Sequence, residues 1–297
     1  MKKRSFYSML LLIVLSAAAF SQEKRITDSV VVSTSEKEQS YLLTGAGFNN
    51  DIVFLGRKSP TKSPYLSLSA GYYHQSGLYI TGIVSYLVSS QQNRIDLFTA
   101  SGGYDYTKKS FTAGVSATGY VFNNKSYAVK SALTANISAY ADYDFDLLEL
   151  YADGAMYFSS QTDFIFSVAV SHNFYAAHNK LIISPAFSLY GGTQNYYSNY
   201  NNNIKFGKHM NNTGGAGSMG TGMMGNGIFN VQNYEFSVPV KYKVKRFQFI
   251  FIPVYAIPVN AATITGNQNT YKEDLSNTFF WSIGTYYKFS KQKKQIL

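Results

Sequence analysis

The chain has 297 residues, no cysteine, a formal net charge of +10, and more aromatic than charged residues, 16% against 14%. The missing cysteine excludes a disulfide framework, thiol chemistry and a lipid-modified cysteine near the start of the chain. Lys and Arg are dispersed over strand ends and turns instead of forming a stripe, which argues against a nucleic-acid partner and suits contacts with lipid phosphates.

Chemistry at the start of the chain supplies an address. Lys2, Lys3 and Arg4 precede an apolar run from Met9 to Phe20, and the small-residue site Ala19-Phe20-Ser21 stands before Gln22. This is the pattern of a secretory signal peptide over 1–21. Its apolar core is too short for a membrane helix, and no later run reaches the roughly 18 apolar residues a helical span needs.

Residues 22–50 are polar, of mixed charge and without sustained periodicity, and are expected to form a periplasmic lead-in. Within them, Asp28-Ser29-Val30-Val31-Val32 resembles the energy-coupling box of TonB-dependent transporters. Those proteins carry a plug domain and a much larger barrel, so coincidence is the preferred reading.

From Asp51 onward one theme repeats: stretches alternating apolar and polar residues, separated by short turn signals. Twelve such stretches are expected: Asp51 to Arg57, Tyr65 to His74, Leu78 to Leu87, Arg94 to Tyr106, Ser110 to Phe122, Ala128 to Tyr143, Asp146 to Phe158, Asp163 to Phe174, Lys180 to Gly191, Phe229 to Lys243, Arg246 to Pro258 and Asn277 to Phe289. Tyr, at 26 copies, suits a wall with one apolar and one wet side. The fold class is therefore all-β: a transmembrane antiparallel up-and-down β-barrel over 51–289, followed by a basic tail, 290–297.

Turn chemistry sets the registers. The loop Gln75-Ser76-Gly77 pairs Tyr72 with Ile80, Ala70 with Gly82, Leu68 with Val84 and Leu66 with Tyr86, all toward lipid. A turn at Asp144-Phe145 pairs Ala141 with Leu148, Ala139 with Leu150 and Ile137 with Ala152. Pro185, Pro239 and Pro253 fall inside expected strands, where each removes a ladder donor, so bulges are expected there. Parity puts both long connections, 192–228 and 259–276, on one rim. Both termini and the short turns then lie on the periplasmic rim.

The inward positions carry Lys130, Asn136, Glu149, Tyr151, Asp153, Tyr157, Glu235, Lys241 and Lys243. This lining suits either a narrow pore for small polar solutes or salt bridges that stiffen the wall, and spacing does not separate the two.

His74-Gln75-Ser76 resembles the His-x-Ser pair of outer-membrane phospholipase A and of the lipid A deacylases, which implies a hydrolase acting on lipid esters as an alternative function. Val88 stands where the phospholipase has an orienting Asn, and Gly77 follows the Ser, so a plain hairpin turn is the preferred reading. The 192–228 loop, expected to be extracellular, is rich in Asn, Gly and Met. Its His209, Met210, Met219, Met223 and Met224 could hold Cu(I), but without fixed ligand spacing no metal, cofactor or catalytic site is assigned. A third possibility is a structural or surface-interaction barrel using this loop.

The closing stretch, Ser282-Ile283-Gly284-Thr285-Tyr286-Tyr287-Lys288-Phe289, resembles the C-terminal β-signal read by the barrel assembly machinery, with Ser282, Gly284, Tyr287 and Phe289 carrying the pattern. Signal, β-signal and strand series together resemble the small porin-like outer-membrane β-barrels of Gram-negative bacteria. That resemblance implies an outer-membrane location, a bilayer containing lipopolysaccharide, the assembly machinery as a partner and transport as the role, most simply a passive or weakly selective pore without a cofactor.

Overall fold

Alternation is what the backbone realises. A computed structural model of the protein describes residues 39–89, 93–197, 229–265 and 270–290. Its wall strands are β1 (Tyr41–Asn49), β2 (Tyr65–Tyr73), β3 (Leu78–Leu87), β4 (Arg94–Lys108), β5 (Phe111–Phe122), β6 (Ala135–Asp144) and β7 (Glu149–Phe158). Three interrupted strands follow: β8 (Asp163–Ser171 and Phe174–Ala176), β9 (Leu181–Ile183 and Ala186–Gly192) and β10 (Asn230–Ser237 and Val240–Val244). The wall ends with β11 (Phe247–Pro258) and β12 (Thr278–Ser290). Each pairs antiparallel with its sequence neighbour, and β1 pairs with both β2 and β12. The result is a closed barrel of twelve strands, which leaves no sheet edge.

Side chains divide by parity. Leu68, Ile80 and Val121 are 62%, 63% and 67% exposed on the outer face, whereas Ser67, Thr81 and Ser85 on the inner face are at most 7% exposed. Hydroxyl pairs tie the inner rungs: Ser67 with Ser85, Ser101 with Thr118, and Ser116 with Ser138, at 3.0, 2.9 and 2.8 Å.

The β2–β3 hairpin keeps the expected register from Leu66↔Tyr86 to Tyr72↔Ile80. Gly77, at φ +98, is required there, because a Cβ would lie 2.1 Å from the Asp105 carbonyl oxygen of β4.

Four expectations need correction. The first wall strand is Tyr41–Asn49, not Asp51 to Arg57, which instead turns inward. The β6–β7 turn spans 145–148 and not Asp144-Phe145: Ala141 faces Ala152 and Ile137 faces Met156, a slip of four residues that preserves every face. The Ala128 to Tyr143 stretch is not one strand, since Val129–Ala132 forms a 3-10 turn and β6 starts at Ala135.

The prolines, finally, make no bulges. Phe174↔Ile183 continues the register of Ser171↔Ala186, and Val240↔Phe251 that of Ser237↔Val254. Each proline deletes only its own donor: His172 N–H donates to Pro185 O, Ser184 N–H to Pro239 O and Val238 N–H to Pro253 O, at 3.3, 2.9 and 3.2 Å, with no reciprocal bond possible. These half-rungs cross three adjacent seams of the wall.

True bulges lie elsewhere. The register shifts between Ser85 and Tyr86 against β4, and between Tyr190 and Gly191 against β10. The extra residues are Asp96 and Gln232, 1% and 0% exposed, so each bulge turns a second consecutive side chain inward.

Both described ends of the wall and the turns 74–77, 109–110, 145–148, 177–180 and 245–246 lie at one rim. The connections 50–64 and 123–134 lie at the other, where the wall also stops at Gly192 and Pro258 and resumes at Asn230 and Thr278.

Candidate functional site: a polar barrel interior closed by an inward hairpin

After Asn49 the chain folds into the barrel mouth at the long-loop rim. Asp51 Oδ1 accepts the N–H groups of Ile52 and Ser63, at 2.9 and 3.1 Å, and so fixes the entry and the exit of this excursion. Val53–Phe54 pairs with Arg57–Lys58 across Leu55-Gly56, whose φ angles of 51° and 74° give the mirror-image turn that tight hairpins favour. A Cβ on Gly56 would lie 2.5 Å from Asn233 Oδ1, so the tip touches β10. Leu55 in the left-handed region costs about 1 kcal/mol, and its complete burial holds it there.

Phe54 packs edge-on against Tyr157 and Tyr196, with ring centroids 5.8 and 4.7 Å away. Around it inner residues of β2 to β5, of β7 to β9 and of the 123–134 connection, among them Tyr65, Leu97, Tyr120, Leu133, Ile165 and Tyr190, form one apolar cluster. Val53 joins a second cluster with Ile252, Val254 and Phe280 on β11 and β12. The hairpin therefore reaches across the lumen and fills its long-loop end.

The buried charged groups of this plug, Arg57 and Asp51, are engaged. Arg57 Nε donates to both Glu273 carboxylate oxygens, at 3.0 and 3.2 Å, Nη1 to Leu55 O, and Nη2 to Val259 O and Asn260 O. Burial works against its charge, but Tyr196 and Glu273 more than compensate and hold the guanidinium further above its ordinary value. Burial pushes the Asp51 carboxyl upward, partly offset by the N–H groups of Ser63 and Ile52. It also pushes the Tyr196 phenol well up. Asp163 caps the turn that presents Tyr196, accepting the N–H groups of Asn195 and Tyr196 at 2.7 Å each.

Lys130, 0% exposed, sits in the 3-10 turn and donates to Tyr120 Oη at 2.9 Å. Its ammonium lies 4.2, 5.1 and 5.6 Å from the rings of Tyr120, Tyr157 and Phe54, a cation enclosed by aromatic faces. Tyr120 passes the chain on to Asn136 Oδ1 at 2.7 Å. Lys130, Asn136 and Tyr157 thus belong to the support of the plug.

Below the plug the interior turns polar. Glu149 accepts from Ser171 at 3.0 Å, Asp153 accepts from Ser167, and Glu235 accepts from Asn233 at 2.7 Å. Tyr140 stacks on Tyr151 at 5.9 Å and donates to Asp105 at 2.7 Å. Glu149, Glu235 and Lys241 are each 4% exposed. Tyr151, Asp153 and Lys243 are half-buried. Asp142, which strand parity places inward from the sequence, belongs to this lining too, as does Asp105, which was not singled out although its parity would have found it.

At the closing seam, Ser282 is buried while Phe289 is 47% exposed on the outer face. Trp281 lies between Phe48 of β1 and Phe251 of β11, 5.7 and 6.0 Å away. Lys288 stands 3.9 Å over the ring of Tyr41, which stacks on Tyr73.

His74 Nδ1 lies 2.8 Å from Ser76 Oγ and also accepts Ser76 N–H at 3.2 Å, in an exposed turn on the short-turn rim. One nitrogen serving both groups closes the turn. The signal segment, the energy-coupling-box resemblance and residues 198–228, with their histidine and methionines, lie outside the described residues.

No protein-family model and no curated protein matches the chain. Among solved structures, the chain is similar to the KdgM porin at 10% identity and a TM-score of 0.45, over 84% of this chain and 99% of that one. It is similar to the NanC porin at 11% identity and a TM-score of 0.45, over 84% and 100%. It is also similar to an outer membrane channel from Pseudomonas putida F1, at 9% identity and a TM-score of 0.40, over 87% and 100%.

Proposed function

We propose that this chain is an outer-membrane pore for small polar solutes, passive and weakly selective, that rests closed at its long-loop rim. The observation that carries the reading is the inversion of polarity across the wall. Large apolar side chains face outward on every strand, while hydroxyls, carboxylates and lysines line the interior. Ten such apolar side chains left in water would forgo on the order of 15 kcal/mol, as much as a whole domain's stability, so lipid is the solvent that fits the outer face. In lipid a closed barrel is also the β-structure that satisfies every strand pairing.

Carboxylates of Asp105, Asp142, Asp153 and Glu235 outnumber the lysines Lys241, Lys243 and Lys288 in the polar half, which favours weak cation preference. Both termini are assigned to the periplasm and the long loops to the outside, in contact with lipopolysaccharide. β12 is assigned as the strand read by the assembly machinery. The His74–Ser76 pair is assigned to the turn and not to lipid hydrolysis.

The test is conductance in planar bilayers of a variant in which 51–62 is replaced by a short Gly-Ser linker. Stepwise, cation-preferring currents are expected, with the preference reduced by Asp105→Asn and Asp153→Asn. A plug-free barrel that carries no current would make the interior charges structural.

A further inference from the structure

We infer that the 51–58 hairpin is a movable gate, and that the 259–277 connection operates it through the Arg57–Glu273 pair. The inference rests on the pore reading above. Three observations support motion at this place.

The first is how the hairpin is held. Every wall strand is stitched to two neighbours, whereas Val53–Phe54 and Arg57–Lys58 form a separate two-stranded sheet that pairs only with itself. Its attachment comes from side chains, so it can leave without unzipping the barrel.

The second is where its charged contact leads. Arg57 and Glu273 are 3% and 8% exposed, so the pair is little screened by salt. Arg57's other hydrogen bonds beyond its own hairpin go to the carbonyls of Val259 and Asn260, at the start of the same connection. Glu273 accepts Ala262 N–H at 2.9 Å, and Glu273 N–H donates to Ala262 O at 2.9 Å. Both ends of the connection are thereby cinched together around the guanidinium. Between them Thr263–Thr265 pairs antiparallel with Thr270–Lys272, so the two ends of the connection are stitched to each other a second time. A pull on it draws Glu273 and the two carbonyls away from Arg57 together.

The third is stored strain. Leu55 holds a left-handed backbone whose cost is offset in the docked hairpin by its burial, an offset that is lost on release, when the segment can also unpair and relax.

The experiment is single-channel recording on the full chain. Glu273→Gln and Arg57→Gln are each expected to raise the open-to-closed ratio by at least about 100-fold, the order for breaking a buried pair. The charge-exchanged double variant, Arg57→Glu with Glu273→Arg, is expected to recover most of the closure. Should a single variant fail to fold, the double variant Arg57→His with Glu273→His gives a second route: zinc ions should shut the channel and a chelator reopen it. Single variants as silent as wild type, or a bis-histidine channel indifferent to zinc, beside a plug-free variant that conducts, would overturn the latch and leave the pore standing. A plug-free variant that does not conduct would sink the pore and the gate together.

Discussion

Asp51 occupies a position where a carboxyl group is useful and its charge is not. Two backbone N–H groups need its Oδ1, and burial disfavours the anion. Because the folded-state value is raised above the ordinary 3.8, the contribution to stability is complete below that value and is lost as pH rises through the folded one. Asp51→Asn keeps the acceptor without the charge. It is expected to match or exceed wild-type stability at neutral pH and to flatten this part of the pH profile, measured by urea unfolding in lipid vesicles. Asp51→Ala strands both donors and is expected to lose about 2 kcal/mol. Lys130 makes the complementary case. Lys130→Met keeps most of the volume and forfeits the aromatic enclosure, an expected loss of about 1–2 kcal/mol, while Lys130→Ala adds a cavity and should cost more. From sequence Lys130 reads as a wall residue, because the turn that carries it continues an alternating pattern. Its aromatic partners come from β5, β7 and the hairpin, and no local pattern announces a meeting of that range.

Among the elements, β1 and the hairpin exchanged roles. Tyr41–Asn49 presents Thr44, Ala46 and Phe48 outward, a weak amphipathic signal, and it follows a long polar segment. Asp51 to Arg57 is more apolar and so draws the strand assignment. Yet Ile52, Val53, Phe54 and Leu55 are apolar in succession, without alternation, and end in Gly56. That is how an element buried on both faces reads, and it was the available signal. The bulges left a trace as well: Ile95 and Phe98 both face outward three residues apart, a slip in the period of two that Asp96 and Leu97 absorb. The slip of four in the β6–β7 register left no trace, because an even shift keeps every side chain on its face. The prolines give an element-level prediction. Pro185→Val and Pro253→Val, both on the outer face, restore a donor opposite His172 and Val238. Each is expected to add about 1 kcal/mol and to slow amide exchange of its cross-strand partner, read by hydrogen exchange in lipid vesicles.

At the level of the whole molecule, the strand count and closure were legible, since both follow from parity and the number of turns. The closure of the lumen was not, because it depends on a segment leaving the wall. Everything else depends on the outer face being wetted by lipid, and the chain carries its own reporter: Trp281, its single tryptophan, on the outside of β12 between Phe48 and Phe251. The decisive measurement is Trp281 fluorescence after reconstitution into vesicles with brominated acyl chains, compared with an aqueous quencher. Strong quenching by the brominated lipid and little by the aqueous quencher is expected. Emission that the aqueous quencher removes and the brominated chains leave untouched would contradict the membrane-spanning barrel.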